Sequence, residues 1–353
     1  MILGRFILKA VGARTLAALA ILFALLEVLD LLDVTTDVLE RGLGVAGIAR
    51  YAMLRSPGLI VQAMPIAVLA GSVLAFAQLA RESAIVAMRA SGVSIYRIVF
   101  LAMPAALAIV AAHLFIGQVV APRTDAALDR WWRATEPAAE RAGPASRSFR
   151  VGPDIVSAVA DPDQPTRLTE VRVYRRAADG SLVTRTTAQA ASFIDGAWTL
   201  SQARVVIAAE GPNGVRDATH LVWPTTLRPV DVQTVFGDAA NVTTAQARRA
   251  LREGAALRAP AFYQMQLQRS WAAPFASLVM LLLAAPVALV NNRDGRAPIV
   301  MALSLAAGLV FVVVDGLLAA AGEAGAAPIL VAAWAGPLLF AAMAFTVLLR
   351  AEG

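Results

Sequence analysis

Six long apolar stretches divide this chain into two groups of three, with one polar segment between the groups. The stretches lie near residues 15–34, 57–80, 96–121, 271–291, 297–320 and 328–349. Each has about the ~20 apolar residues that a helix needs to cross a ~30 Å hydrocarbon layer. The pattern predicts an α-helical membrane protein with six transmembrane helices, arranged three plus three.

The polar segment has the alternation of β-strands. Val171 and Val173 alternate with charged residues, and two Asp-Gly dipeptides, 179–180 and 195–196, are typical of hairpin turns. Seven or eight short antiparallel strands fit, as a curved sheet or open jelly roll. An amphipathic helix over 243–257 leads back to the membrane. The predicted parts are membrane half 1–121, an inserted all-β jelly-roll-like domain 122–262, and membrane half 263–353.

Composition and charge place these parts relative to a membrane. Hydrophobic residues make up 58% of the 353 residues, which is too apolar for a soluble protein. Basic residues precede span one and fill the loops after spans two and four: Arg5, Lys9, Arg14, Arg81, Arg89, Arg97, Arg293 and Arg296. By the positive-inside rule, both termini are predicted in the cytoplasm and the β-domain on the outer side.

The chain lacks the motifs of an enzyme. A Walker A loop needs Lys followed by Ser or Thr, but the only lysine, Lys9, precedes Ala10. There is no cysteine, and His113 and His220 have no metal-ligand spacing. The glycine pattern at 42–47 matches a dinucleotide loop, but it follows a membrane helix, so we interpret it as a connecting loop. We predict neither catalysis nor a cofactor or metal bound by this chain.

Acidic residues inside the spans are candidates for a translocation path. Glu27, Asp30, Asp33 and Asp37 share one helix face about 120° wide, and Asp315 lies deep in span five. Because charge in lipid is costly, such residues line a wet cavity or meet a partner. Asp33 and Asp37 fit the headgroup layer equally well. The cavity and gate candidates are Glu27, Asp30, Asp33 and Asp315.

The loop between spans two and three predicts a docking helix. Residues 79–92 form a short amphipathic pattern in which Ile85 and Met88 make an apolar knob, with charges beside it. A knob of this kind suits a groove on a partner protein. The alternative is a helix that lies on the membrane.

At this loop the chain resembles the LptF/LptG family, inner-membrane permeases of the lipopolysaccharide export ABC transporter. The resemblance covers essentially the whole chain. It includes Met64-Pro65, A-M-R-A-S-G at 87–92, D-G-A-W-T-L at 195–200, Y-Q-M-Q-L-Q-R-S-W-A-A-P at 263–274, and the Asp315 region through Pro328 and Trp334. The Asp33 context and residues 314–316 favour the LptG branch.

The resemblance implies a function and its partners. The chain would extract lipopolysaccharide from the outer leaflet of the bacterial inner membrane and pass it to a periplasmic bridge. The implied partners are an LptB-like ATPase dimer that uses ATP and magnesium, a paralogous LptF-like permease, a single-helix LptC-like subunit and an LptA-like bridge protein, without nucleic acid. Spans one and five would form lateral gates. An ABC permease for another lipid or for lipoproteins, or a membrane scaffold without transport, are the alternatives.

The resemblance also suggests residue roles. ATPase coupling falls on Arg81, Glu82, Ile85, Met88 and Arg89, although Ala84 stands where relatives carry glutamate and Glu82 is its candidate substitute. Some relatives contact lipid phosphates with lysines at the outer end of the first helix. Here the candidates are Arg41, Arg50 and Arg55, or acidic groups acting through divalent cations. The β-groove candidates are Val171, Val173, Phe193 and Val205.

Overall fold

The computed structural model shows two compact units. It describes residues 2–82, 84–90, 92, 94–135, 145–160, 164–177, 179–236, 242–253, 255–256, 258–289 and 296–352. One unit is helical and comprises residues 1–132 and 268–353, and the other comprises residues 133–267 and contains the sheet.

Helices dominate the first unit. They are α1 (Ile2–Glu40), α2 (Gly44–Arg81), α3 (Ala84–Ala90), α4 (Ile95–Phe115), α5 (Ala121–Ala134), α8 (Pro260–Ala284), α9 (Ala297–Glu323) and α10 (Ile329–Glu352). The last two residues of α5 and the first eight of α8 belong to the second unit. Within the described part of the chain, six helical segments are long and apolar enough to cross a membrane. They fall three before and three after the sheet. The predicted fold class, six membrane helices with an inserted β-domain, is confirmed.

The first two spans form a tight helical hairpin. Gly42 and Gly44 adopt positive φ angles of 72° and 58°, which favour glycine, and α2 starts at once. Residues 41–43 therefore form the turn between the two helices, and Gly44 and Gly47 lie in α2. Further along, a Cβ on Gly71 would lie 2.4 Å from the Thr15 Cα, so only glycine allows this approach of α1 and α2.

The third span is longer than predicted. A π-helical turn, Ile116–Val120, joins α4 to α5 without a break, and the helix continues to Ala134. The sheet unit accordingly begins at 133, whereas the sequence placed a boundary at 122. The amphipathic α5 continues the helix beyond the apolar stretch, so hydropathy alone ended the span too early.

The second unit contains a seven-stranded antiparallel sheet. Its strands are β1 (Ala145–Val151), β2 (Asp154–Ala160), β3 (Arg167–Arg176), β4 (Leu182–Ile194), β5 (Ala197–Ile207), β6 (Val215–Trp223) and β7 (Ala255–Ala256). The order is β6-β5-β4-β3-β2-β1-β7, a meander whose last strand returns beside the first. Helices α6 (Pro229–Phe236) and α7 (Thr244–Glu253) follow β6.

Both predicted Asp-Gly turns are confirmed. Asp179 Oδ1 accepts hydrogen bonds from the backbone N–H and hydroxyl of Ser181, and these bonds lower the pKa of Asp179. Asp195 and Gly196 both have positive φ angles, 51° and 81°, as a type I′ hairpin requires. These local signals set the register of β3 with β4 and of β4 with β5.

A crease crosses the middle of the sheet. In three adjacent strands the buried positions step by three residues instead of two: Leu168 to Val171, Ala188 to Ala191, and Leu200 to Ala203. The steps are aligned, because Leu168 pairs with Ala191 and Ala191 with Leu200. Glu170 and Gln202 lie at the crease with φ of 50°. The pairing register is the same on both sides of the crease, so the three strands exchange their buried and exposed faces together.

The buried face of the sheet is covered by the chain that follows β6. We call residues 224–236 the cover segment. Its Leu227, Val232, Val235 and Phe236 belong to the same apolar core as the sheet. Trp198 Nε1 donates to the Leu227 carbonyl at 2.8 Å, and Phe236 makes an edge contact with Phe149.

Candidate functional site

The predicted docking helix exists as α3, but Met88, one of the two residues of its knob, is not exposed. Met88 is only 7% exposed and packs into the core of the membrane unit, with Ala84 against the same core. The prediction of Met88 as an exposed contact is therefore wrong: the short helix uses its most apolar described side chain to hold itself against the bundle. The side chains of Ile85 and Arg89 lie outside the described part.

Among the described side chains of this region, the accessible ones are small or charged. Arg81, Glu82, Ala87 and Ala90 are exposed. Of the side chains described here, a docking partner would meet Ala87 and Ala90 beside Arg81 and Glu82. The charged residues come from the end of α2 and the turn that follows it, and α3 supplies the alanines.

A hydrogen-bonded relay connects this loop to the first helix. Arg14 of α1 donates to Gln78 Oε1 from two guanidinium nitrogens, and its Nε lies 3.1 Å away. Gln78 Nε2 in turn donates to Glu82 Oε1 at 2.6 Å. We call Arg14, Gln78 and Glu82 the Arg14 relay. Nothing in hydropathy reveals it, because its members lie 64 and 4 positions apart.

The acidic residues of α1 differ in their surroundings. Asp30 pairs with Arg55 of α2, with Oδ1 3.2 Å from Nε. Both carboxylate oxygens of Glu27 are buried and make no hydrogen bond within the described residues. Asp33 is exposed. Because an unpaired carboxylate at membrane depth is costly, Glu27 is the group on this helix that most needs a proton or an external partner.

Two of the predicted headgroup arginines stack on a pair of tryptophans. The Arg41 guanidinium lies 4.0 Å from the Trp132 ring centre and donates to the Trp132 carbonyl at 2.8 Å. Arg50 lies 5.4 Å from the Trp131 ring centre. A guanidinium stacked on a ring keeps its edge donors for an anion. The third candidate, Arg55, is instead engaged by Asp30.

In the second membrane half, Asp315 has a cationic partner. Arg269 Nη2 lies 3.5 Å from Asp315 Oδ2. Gly336 of α10 adjoins this pair, and a Cβ there would lie 3.0 Å from Asp315 Oδ1. The sequence pattern indicated Asp315 but not Arg269. Asp315 itself could have pointed to a basic partner in another span, because charged residues inside membrane spans usually pair with one another.

The β-groove candidates share one face but are not open. Val173 pairs with Thr186, and Thr186 with Val205, so their side chains point the same way. Val171 and Val173 are 1% and 4% exposed and lie in the core under the cover segment. Phe193 and Val205 are half-buried, and Phe193 packs against Trp198 with ring centres 5.4 Å apart. In this state Val171 and Val173 line a closed core instead of an open groove.

These features define a class: a multi-pass membrane protein with an inserted antiparallel β-unit. The family model described as lipopolysaccharide export system permease LptF/LptG matches residues 5–350. The chain therefore belongs to the LptF/LptG family and is a component of a transporter in the inner membrane. No curated protein matches the chain. The family match does not separate LptG from LptF, so the LptG branch stays a prediction.

Proposed function

We propose that this chain is one permease of an ATP-driven exporter that takes lipopolysaccharide from the outer leaflet of the inner membrane towards a periplasmic bridge. The two termini would be cytoplasmic and the β-unit periplasmic. A cytoplasmic ABC ATPase dimer, a paralogous permease, a single-helix subunit and the bridge protein would complete the machine. Family membership supports the general function. The uncovered helices, the cover segment and the Arg14 relay support the individual steps.

The uncovered surfaces of α1 and α9 are the observation that carries the proposal. Only 6% of the apolar window of α1 and 17% of that of α9 are buried within the chain, against 61% for α2. α1 also carries Glu27, which has no partner among the described side chains. A helix that is both uncovered and acidic at membrane depth suits a gate that faces a second permease.

The acyl chains set the physical problem. Exposing one ~12-carbon chain to water costs about 10 kcal/mol at ~0.8 kcal/mol per CH₂. Several chains per molecule exceed what one ATP supplies, so the lipid needs an apolar path through the β-unit. The apolar face of the sheet is filled by the cover segment. Passage along this face therefore requires the cover segment to leave it, and the lipid would replace Leu227, Val232, Val235 and Phe236.

The Arg14 relay provides a route for force. ATPase docking on the exposed surface around α3 would move Glu82, and the relay would pass that displacement to α1 through Gln78. This gives Glu82 a role even though Ala84 occupies the position of the family glutamate. The same loop would then receive positive charge from Arg81 and Arg89. Its position would be held by the apolar α3 residues Ile85 and Met88.

Reconstitution with the ABC ATPase of the same organism tests the proposal. Ala87→Arg places a bulky cation on the exposed side of α3, and we expect it to abolish capture of the purified ATPase. Ala324→Arg is the matched control. Ala324 is exposed directly after the end of α9, on the side of the membrane opposite to α3 in the predicted topology. Wild type and control should capture the ATPase and release lipopolysaccharide in an ATP-dependent manner. Absence of capture by wild type, or unchanged capture by Ala87→Arg, contradicts the proposal.

A further inference from the structure

An apolar groove runs along the N-terminal part of α1, between α1, α2 and α4. Its volume is about 670 Å³. Its floor is formed by buried residues of three helices, namely Thr15, Met64, Ala67 and Ala105. Leu8 and Leu16 form one wall and are exposed, so the groove opens to the surroundings of the bundle.

One charge stands at the end of this groove. Lys9 is the only lysine of the chain, and it is exposed at the groove's edge. Every other lining residue is uncharged. An apolar slot that ends at a single flexible ammonium matches a ligand with a hydrocarbon tail and an anionic head.

The length of the groove matches the hydrocarbon thickness of one membrane leaflet. From Lys9 to Leu19 the groove follows α1 for about 15 Å at ~1.5 Å per residue. That is half of the ~30 Å hydrocarbon layer. A neighbouring transmembrane helix would need an apolar face that continues through both leaflets. The length therefore favours a lipid tail.

We propose that this groove binds one acyl chain of an anionic phospholipid, whose phosphate pairs with Lys9. The phospholipid belongs to the leaflet at the N-terminal end of α1, which is the cytoplasmic leaflet under the predicted topology. Filling the groove restores the dispersion contacts that its lining would otherwise lack. The bound chain bridges α1 to α4 and holds in place the least buried of the six described spans. This inference rests on the helices crossing a membrane and does not depend on the transported lipid.

Photolabelling tests the site directly. The full chain is placed in nanodiscs that contain phosphatidylglycerol with a diazirine on its acyl chain, and labelled peptides are mapped by mass spectrometry. We expect labels concentrated in 8–19 and 105–112. Lys9→Gln should lower labelling about fivefold, since one lysine at an anionic surface contributes that much binding. Phosphatidylcholine carrying the same diazirine should label wild type as weakly as phosphatidylglycerol labels Lys9→Gln.

Matched variants separate the groove from the general surface. Ala108→Trp fills the groove, whereas Ala111→Trp puts the same ring on an exposed site of the same helix outside it. Arg350→Gln is the control for Lys9→Gln. Only Ala108→Trp and Lys9→Gln should lose labelling, with an unchanged helical circular dichroism spectrum in all four variants as the check on folding. Even labelling along all exposed helices, or displacement of the label when partner subunits assemble, would overturn the inference.

Discussion

The indole nitrogen of Trp223 lies 3.4 Å from Oδ2 of Asp154, although β6 and β2 are separated by three strands. Asp154 is only 2% exposed and is also held by Arg175, with N–O distances of 2.8 and 2.9 Å. A flat sheet could not bring these residues together. The contact therefore shows that the sheet curls until its edge strand reaches across to β2.

Removing the charge of Asp154 should destabilise the β-unit. In Asp154→Asn, the Arg175 guanidinium loses its counter-charge, and loss of one partner of a buried pair is costly. Because 38% of the Arg175 side chain is exposed, water still solvates part of its charge. We therefore expect the free energy of unfolding to fall by about 1–3 kcal/mol, less than for a fully buried pair. Pulse proteolysis of the intact protein in urea measures the free energy of unfolding of this unit.

Asp217→Asn is the control for that measurement, and it removes a pH-dependent contribution that Asp217 makes in the wild type. Arg204 donates to both Asp217 oxygens and lowers the pKa of Asp217. A lowered pKa in the folded state stabilises above the ordinary carboxyl pKa, and this contribution is lost as the pH falls through the lowered value. Both side chains are exposed, so the variant should unfold like wild type at neutral pH. Equal losses in the two variants would contradict the importance of the Asp154 network.

Breaking the Arg14 relay should uncouple ATP use from lipid release. Gln78→Leu removes the acceptor for Arg14 and the donor to Glu82, each a hydrogen bond of about 1 kcal/mol. We expect lipid release per ATP hydrolysed to fall about fivefold to tenfold, with ATPase binding retained. Gln62→Leu, an exposed glutamine on the same helix, should behave like wild type. Normal release in Gln78→Leu would remove the relay from the account.

The ion pair of the second membrane half should show energetic coupling. Arg269→Gln and Asp315→Asn each leave one charge unpaired within the bundle, whereas the double variant leaves none. A double-mutant cycle on thermal unfolding in nanodiscs should give a coupling energy on the order of 1 kcal/mol. Additive effects would mean that the 3.5 Å contact contributes nothing to stability.

The stacked arginine Arg41 should depend on its tryptophan. In Trp132→Leu, Arg41 loses a cation–π contact worth about 0.5–1 kcal/mol. If Arg41 holds a lipid phosphate, lipopolysaccharide affinity should fall about threefold to fivefold, similar to Arg41→Gln. Trp271→Leu, at an exposed tryptophan on α8, should leave affinity unchanged. A normal affinity for Trp132→Leu would separate the stacking from lipid binding.

Local patterns predicted much of this fold. Apolar length located all six spans, and the Asp-Gly dipeptides located two hairpins, because both are set by nearby residues. The alternation at Val171 and Val173 correctly put both on the buried face. Family resemblance supplied the transport class before any contact was known.

The remaining features depend on distant contacts. The crease needs an aligned change of face in three strands, and alternation within one strand does not reveal such alignment. Met88 matched an exposed knob because amphipathicity does not say whether an apolar face meets a partner protein or the rest of its own chain. The closed β-groove escaped prediction because its cover segment follows β6 and lies far from β3 in sequence.

Displacement of the cover segment is the central requirement of the proposed export route. The chain has no cysteine, so Phe149→Cys with Phe236→Cys introduces a single pair where two rings now lie 5.7 Å apart. A bifunctional methanethiosulfonate reagent would bridge the two thiols and lock the cover segment to β1, and reduction would release it in the same protein. Each single variant controls for loss of the aromatic contact.

The most direct measurement is photocrosslinking from an aromatic photoreactive residue at Phe193 in the reconstituted transporter containing this cysteine pair. Tyr174, half-buried on the opposite face of the sheet, is the matched control position. We expect ATP-dependent attachment of lipopolysaccharide at position 193 in the unbridged protein, little at 174, and loss at 193 after the two cysteines are bridged. Equal attachment at 193 with the cover segment locked, or attachment at 174 alone, would contradict it.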